Sequence, residues 1–96
     1  EGNIINALNV KAEIPDKNIE IEGDESVYDK KNKHLTVINN VKFFDKLKNV
    51  YLEGKKVIYS QMTDIVQTFG ETYIKIENKY EVYSYDLFYE FKSNSN

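Results

Sequence analysis

The sequence predicts an all-β protein, an antiparallel β-jellyroll of stacked hairpins, and three observations carry that reading. Apolar residues alternate at period two, β-branched and aromatic side chains dominate the apolar set, and one pattern of roughly 30 residues recurs three times. Residues 19–28 read IEIEGDESVY, residues 50–59 VYLEGKKVIY and residues 80–89 YEVYSYDLFY. Apolar residues stand first and third in each (Ile19 and Ile21, Val50 and Leu52, Tyr80 and Val82). A small residue stands fifth (Gly23, Gly54, Ser84) and a tyrosine tenth (Tyr28, Tyr59, Tyr89).

The elements follow in order. The turn-forming stretch PDKN at 15–18 precedes the first unit, whose strand bends at Gly23, and DKKNK at 29–33 ends it. The next strand keeps Leu35, Val37, Val41 and Phe43 on one parity, with a bend at Asn39, and DKLKN at 45–49 closes that hairpin. The second unit, 50–59, bends at Gly54 and turns at SQMTD, 60–64. Its return strand carries Ile65 and Phe69 before Gly70 and Thr72, Ile74 and Ile76 after it. ENK at 77–79 leads into the third unit, which is one residue short, a deletion best tolerated in that turn. Asn39 and Gly70 occupy matching slots, and both residue types accept positive φ, so both are read as bulges. Within Val27-Tyr28, Val57-Ile58-Tyr59 and Leu87-Phe88-Tyr89, parity alone leaves open which side chain faces inward. A repeat with only β signals also fits a coil of a β-solenoid, but frequent hairpin turns favour the jellyroll.

The chain of 96 residues is expected to form a single domain, 1–96, cut from a longer protein. It has no apolar run near the roughly 18 residues that span a bilayer. Its start, EGNIINALNV, lacks the basic and apolar parts of a secretion signal. Without cysteine there are no disulfides, thiolate metal sites or cysteine nucleophiles. Thirteen lysines against 16 acidic residues give a net charge of −3, and no arginine is present. So weak and mixed a charge, with no guanidinium forks, argues against a nucleic-acid partner.

Catalytic chemistry finds little to work with. His34, the single histidine, lies beside a lysine-rich turn without a partner and reads as a solvated turn residue. The carboxylates Asp24, Glu25, Asp29, Asp45, Asp64, Glu71, Glu77 and Asp86 stand mostly in turns or on the wet parity, where burial does not raise a pKa. No GxSxG, HExxH, phosphate loop or calcium loop occurs, so no enzyme, metal site or cofactor is expected. The eight tyrosines repeat at structural positions and read as core or rim, not as a base-stacking platform.

From residue 19 to about residue 91 the chain resembles the OstA-like, or lipopolysaccharide-transport, β-jellyroll family. Gly23-Asp24 and Tyr28-Asp29 match the first part of that family's repeat, Asn39-Asn40-Val41 stands where the family has Gly-Asn-Val, and Gly70-Glu71-Thr72 does so again. Asn39 in place of glycine, and Ser60 where the first unit has Asp29, are departures in turn chemistry. The ending, GETYIKIENKY and then YSYDLFY, is most similar to the periplasmic N-terminal domain of the family's outer-membrane translocon, and next to its periplasmic bridge protein.

The resemblance implies a V-shaped jellyroll in the periplasm whose apolar groove carries the acyl chains of lipopolysaccharide. It implies edge strands that join neighbouring transport jellyrolls, possible homo-oligomers among them. If the translocon is the right branch, it also implies attachment to the outer membrane through a barrel after Asn96. The groove residues expected are Ile19, Ile21, Leu35, Val37, Val41, Phe43, Val50, Leu52, Ile65, Phe69, Ile74, Ile76 and Val82, with the closing tyrosines Tyr28, Tyr59 and Tyr89. The alternative is a structural or protein-interaction β-repeat module in which the same residues form a sealed core.

Overall fold

The computed structural model describes residues 3–90; Glu1, Gly2 and residues 91–96, among them the last residue of the resembling stretch, lie outside the described part. The chain folds as one open, antiparallel, seven-stranded sheet in which six strands follow chain order and the seventh returns to pair with the fifth. These are β1 (Ile4–Ile14), β2 (Ile19–Asp29), β3 (His34–Asp45), β4 (Val50–Ser60), β5 (Ile65–Ile76), β6 (Tyr80–Tyr85) and β7 (Phe88–Glu90). A short 3-10 turn, Pro15–Lys17, joins β1 to β2 and is the one helical element among the described residues.

A sheet with one dry face and no helix to cover it must cover itself. The central strands do so by bending midway. Two successive residues are turned to solvent at the bend of β2 (Asp24, Glu25), β3 (Asn39, Asn40) and β4 (Lys55, Lys56). The pairing slips between Glu22 and Glu25, between Ile38 and Val41, and between Gly54 and Lys56, which marks a row of bulges across the sheet. Asn39 (φ 66°), Asn40 (φ 54°) and Gly70 (φ 88°) are left-handed there, as the matching slots of Asn39 and Gly70 predict. The side chains brace the crease: Asn40 Nδ2 donates to Asp24 Oδ2 at 2.8 Å, and the Gly70 N–H donates to Asp86 Oδ1 at 2.8 Å.

The crease divides β2 to β5 into two walls. In one wall, buried residues line up across the strands as Ile21, Phe43, Leu52 and Ile74, with Ile19, Asp45 and Val50 beside them. In the other, Ser26, Val37, Val57 and Thr68 form one row, and Tyr28, Leu35, Tyr59, Val66 and Tyr89 the next. The tyrosine that closes each unit therefore faces inward, together with Val57 in the second unit and Leu87 in the third, while Ile58 and Phe88 between them face outward. The two halves of β5 have different outer neighbours: Glu71–Ile76 pair with β6, and Ile65–Gln67 with β7.

The turns are built alike. Those at 30–33, 46–49 and 61–64 have four residues and end on left-handed Lys33, Asn49 and Asp64, as the 3-10 turn ends on left-handed Asn18. Asp29 and Asp45 cap the turns that follow them by accepting from the Asn32 N–H at 3.2 Å and the Lys48 N–H at 3.2 Å. The turn at 77–79 is one residue shorter. It is a tight turn with Glu77 and Asn78 both at positive φ, and the Lys79 N–H donates to the Ile76 carbonyl at 2.9 Å.

The three strand glycines differ sharply in what a methyl group would meet. At Gly23 it would collide with Cγ1 of buried Val37 and come within 3.3 Å of the Asn39 carbonyl; at Gly54 the nearest atoms are at 3.8 Å; at Gly70 there is open space but a φ of 88°. In urea unfolding, Gly23→Ala is therefore expected to cost about 1–3 kcal/mol. Gly70→Ala should cost about 1–2 kcal/mol through backbone strain alone, and Gly54→Ala less than about 0.5 kcal/mol. Equal losses at positions 23 and 54 would contradict the close packing at the crease.

Candidate functional site

The candidate site is the apolar space between the walls, together with its two ends. At the middle of the sheet the space is filled: Phe43, Leu52, Val57 and Val66 are each 0% exposed. Phe43 reaches across to the far wall, where its ring meets that of Tyr89 edge-on at 6.0 Å. At the crease, Thr68 and Thr72 share a hydrogen bond at 2.6 Å, so the hydroxyls buried there are satisfied by each other.

The margin opposite the crease is the mouth, where the walls meet again, and polar contacts close it. Asp45, buried at the end of one wall, accepts from the Tyr89 hydroxyl of the other at 2.8 Å. Further out, the Lys17 ammonium, in the turn before β2, pairs with the Asp64 carboxylate, in the turn before β5. The two contacts differ in weight. An ion pair whose members are 35% and 21% exposed contributes at most about 1 kcal/mol. Depriving one oxygen of a buried carboxylate of its donor, here Oδ2 of Asp45, costs about 1–3 kcal/mol. The Tyr89–Asp45 bond is the stronger closure.

These contacts set the protonation of the groups at the mouth. The hydrogen bond from Lys17 to Asp64 raises the Lys17 ammonium above its ordinary value. Burial, and then the bond to Asp45, pushes the Tyr89 phenol far above its ordinary 10.0. Burial likewise raises Tyr59.

Most of the expected groove residues share this space. Ile19, Ile21, Val37, Val41, Phe43, Val50, Leu52, Tyr59 and Ile74 form one buried cluster, with Leu35, Ile76 and Tyr89 packed against it and Tyr28 on the same row. Ile65 and Phe69 lie elsewhere: the inward parity of β5 belongs to Val66 and Thr68, so those two stand on the outer face, where the Lys56 ammonium sits 5.1 Å from the Phe69 ring centre. Two β-branched residues in Ile65-Val66 hid that parity. Asp45 and Thr68 were missed as interior residues because both read as polar; the signal for Asp45 is its place two residues after Phe43, on the same parity.

The ends of the space are different from its middle. Val82 of β6 continues the row of Ile74 yet is 41% exposed, and Ile5 of β1 continues the row of Tyr28 yet is 49% exposed. Beyond β1 and β6 the described residues supply no further strand, so backbone donors and acceptors stand free along with the apolar rows. Comparison of the chain with protein-family models, with curated proteins and with solved structures finds no match in any of the three. Among the described residues no helix is long and apolar enough to cross a membrane, and no cluster of His, Asp and Glu could hold a metal ion.

Tyr89→Phe is expected to lower stability by about 1–3 kcal/mol, and Lys17→Ala by less than about 1 kcal/mol, both read from urea midpoints at neutral pH. A larger loss from Lys17→Ala would reverse the ranking of the two closures. The folded-state pKa of Tyr89 is raised, so its contribution is complete below the unfolded value of 10.0 and is lost as pH climbs toward the folded value. Stability should fall above pH 10, and less steeply in Tyr89→Phe; identical alkaline profiles for the two proteins would refute the linkage.

Proposed function

We propose that the chain is a non-enzymatic β-jellyroll module of the lipopolysaccharide-transport type, made of three bent hairpins of roughly 30 residues. Its inner face carries acyl chains, and its edge strands join neighbouring jellyrolls. The observation that carries this reading is the course of one apolar row. Ile21, Phe43, Leu52, Ile74 and Val82 run side by side across five strands, buried at the centre and emerging at the free edge. A packed core has no reason to run out into solvent at a sheet edge; a surface continued by the next module does.

Edge pairing would extend both the hydrogen-bond ladder and the apolar row into a partner. Along such a row no position is chemically distinct from the next, which suits a ligand that slides. Moving a methylene from water onto a dry surface is worth about 0.8 kcal/mol, so a chain of a dozen supplies on the order of 10 kcal/mol. That gross sum, before the cost of ordering the chain, has to offset both the mouth contacts and the apolar packing that parted walls give up; on this reading the walls part at the mouth while the braced crease stays intact. On this reading the module belongs in the periplasm, where the family's transport bridge lies, and it reaches the outer membrane through the rest of its protein if it is the translocon's domain.

The complete burial of the central residues favours a second reading, a protein-interaction module with a sealed core. Photocrosslinking decides between them, with p-benzoylphenylalanine at position 82, at position 43 and, as control, at Met62, which is 75% exposed in a turn. Purified lipopolysaccharide is expected to crosslink at 82 and 43 and not at 62. Silence at both test positions in a folded chain would leave the sealed-core module. Val82→Asp, at an edge that tolerates charge, should leave folding intact and lower lipid capture at least about tenfold, because the carboxylate would have to be buried beneath the acyl chain.

A further inference from the structure

We propose that the outer face of the wall formed by the first half of β2 and β4 and the second half of β3 and β5 binds a neutral oligosaccharide, on a site separate from the apolar interior. Two adjoining hollows of about 700 and 640 Å³ open on this face and share Glu22, Lys42, Glu53 and Tyr73. Each is the size of a small-molecule site, and together their lining runs across the strands from Lys11 of β1 to Tyr83 of β6, about 5 Å per strand.

The lining selects the ligand. The first hollow presents four carboxylates and two ammonium groups; the second adds one carboxylate and two ammonium groups, so the charges nearly cancel. A polyanion would meet the carboxylates and a polycation the lysines. A lipid tail would strip water from both with no return. A sugar hydroxyl both donates and accepts, so it can answer a carboxylate and an ammonium group in the same row, as Lys42 lies between Glu22 and Glu53 across the strands.

Aromatic faces supply the other half of sugar recognition, an apolar plane for the C–H face of the ring. Tyr73 and Tyr83 stand side by side with ring centres 5.1 Å apart, and Tyr83 and Tyr85 are 76% and 66% exposed. Their hydroxyl-bearing neighbours are held in place: the Tyr51 hydroxyl donates to Glu53 at 2.5 Å and the Tyr85 hydroxyl to Glu71 at 3.1 Å. All of these side chains stand on strands, so the platform is formed before any ligand arrives.

The test is an amide NMR titration of the folded chain with cellotetraose, maltotetraose and chitotetraose, and with tetralysine and tripolyphosphate as charged controls. The expected result is that at least one sugar shifts the amides around Lys42, Glu53, Tyr73 and Tyr83, and neither charged probe does so more strongly. Tyr83→Ala should weaken that sugar about five- to tenfold, whereas Phe88→Ala, at an aromatic that is also largely exposed but lies outside the trough, should not. Absence of shifts with all three sugars, shifts elsewhere, a stronger response to a charged probe, or unchanged affinity in Tyr83→Ala would each overturn the proposal. The lipid crosslinking reads the other face of the wall, so its failure leaves this site standing.

Discussion

Everything in this fold depends on a sheet with one apolar face having nothing but itself to bury that face against. Each central strand is long enough to contribute to both walls, and the bulges at Asp24, Asn39, Lys55 and Gly70 turn it back across the same apolar space. The bends must fall in register in neighbouring strands, since one strand bending elsewhere would carry its apolar residues to the wrong face. This constraint accounts for the recurring small residues and for the close fit of Gly23 against Val37.

A creased sheet has a closed margin at the crease and a seam at the mouth, and the chemistry of the two is unlike. The crease is held by backbone conformation and short polar bridges within adjacent strands, contacts that cannot separate without unpairing the sheet. The seam joins parts distant in sequence, Asp45 with Tyr89 and Lys17 with Asp64, through side chains alone. Parting the seam would break these side-chain contacts, and the Phe43–Tyr89 ring contact behind them, while leaving the strand pairing in place. If the walls move relative to each other, they move there.

The same sheet offers three surfaces of different character: an apolar interior, two free edges and an outer face where charges of both signs alternate with tyrosines. Strands present successive side chains to opposite faces, so interior and outer face can carry separate chemistries without competing for positions. The tyrosines illustrate this. Tyr59 and Tyr89 point inward and fill the core, whereas Tyr73, Tyr83 and Tyr85 point outward, the last two largely exposed. A count of tyrosines in the sequence does not separate the two roles; their parity relative to the bend does.

The all-β, antiparallel character, the turn positions and the matching bends at Asn39 and Gly70 were legible from the sequence, because period-two alternation and turn residues are local properties. Eight of the ten non-glycine residues at positive φ among those described are Asn or Asp, the residue types that accept that conformation most readily after glycine. Three things required the tertiary structure. The sequence pattern put Ile65 and Phe69 on the inner face; the pairing of Val66 with Tyr59 and Tyr89 fixes Val66 inward and turns those two outward. Asp45 read as a solvated turn residue until Tyr89, 44 residues on, proved to be its donor. Whether the apolar face is covered at its centre and bare at its edges depends on how one wall lies over the other, a relation between residues far apart in the chain that no local pattern encodes.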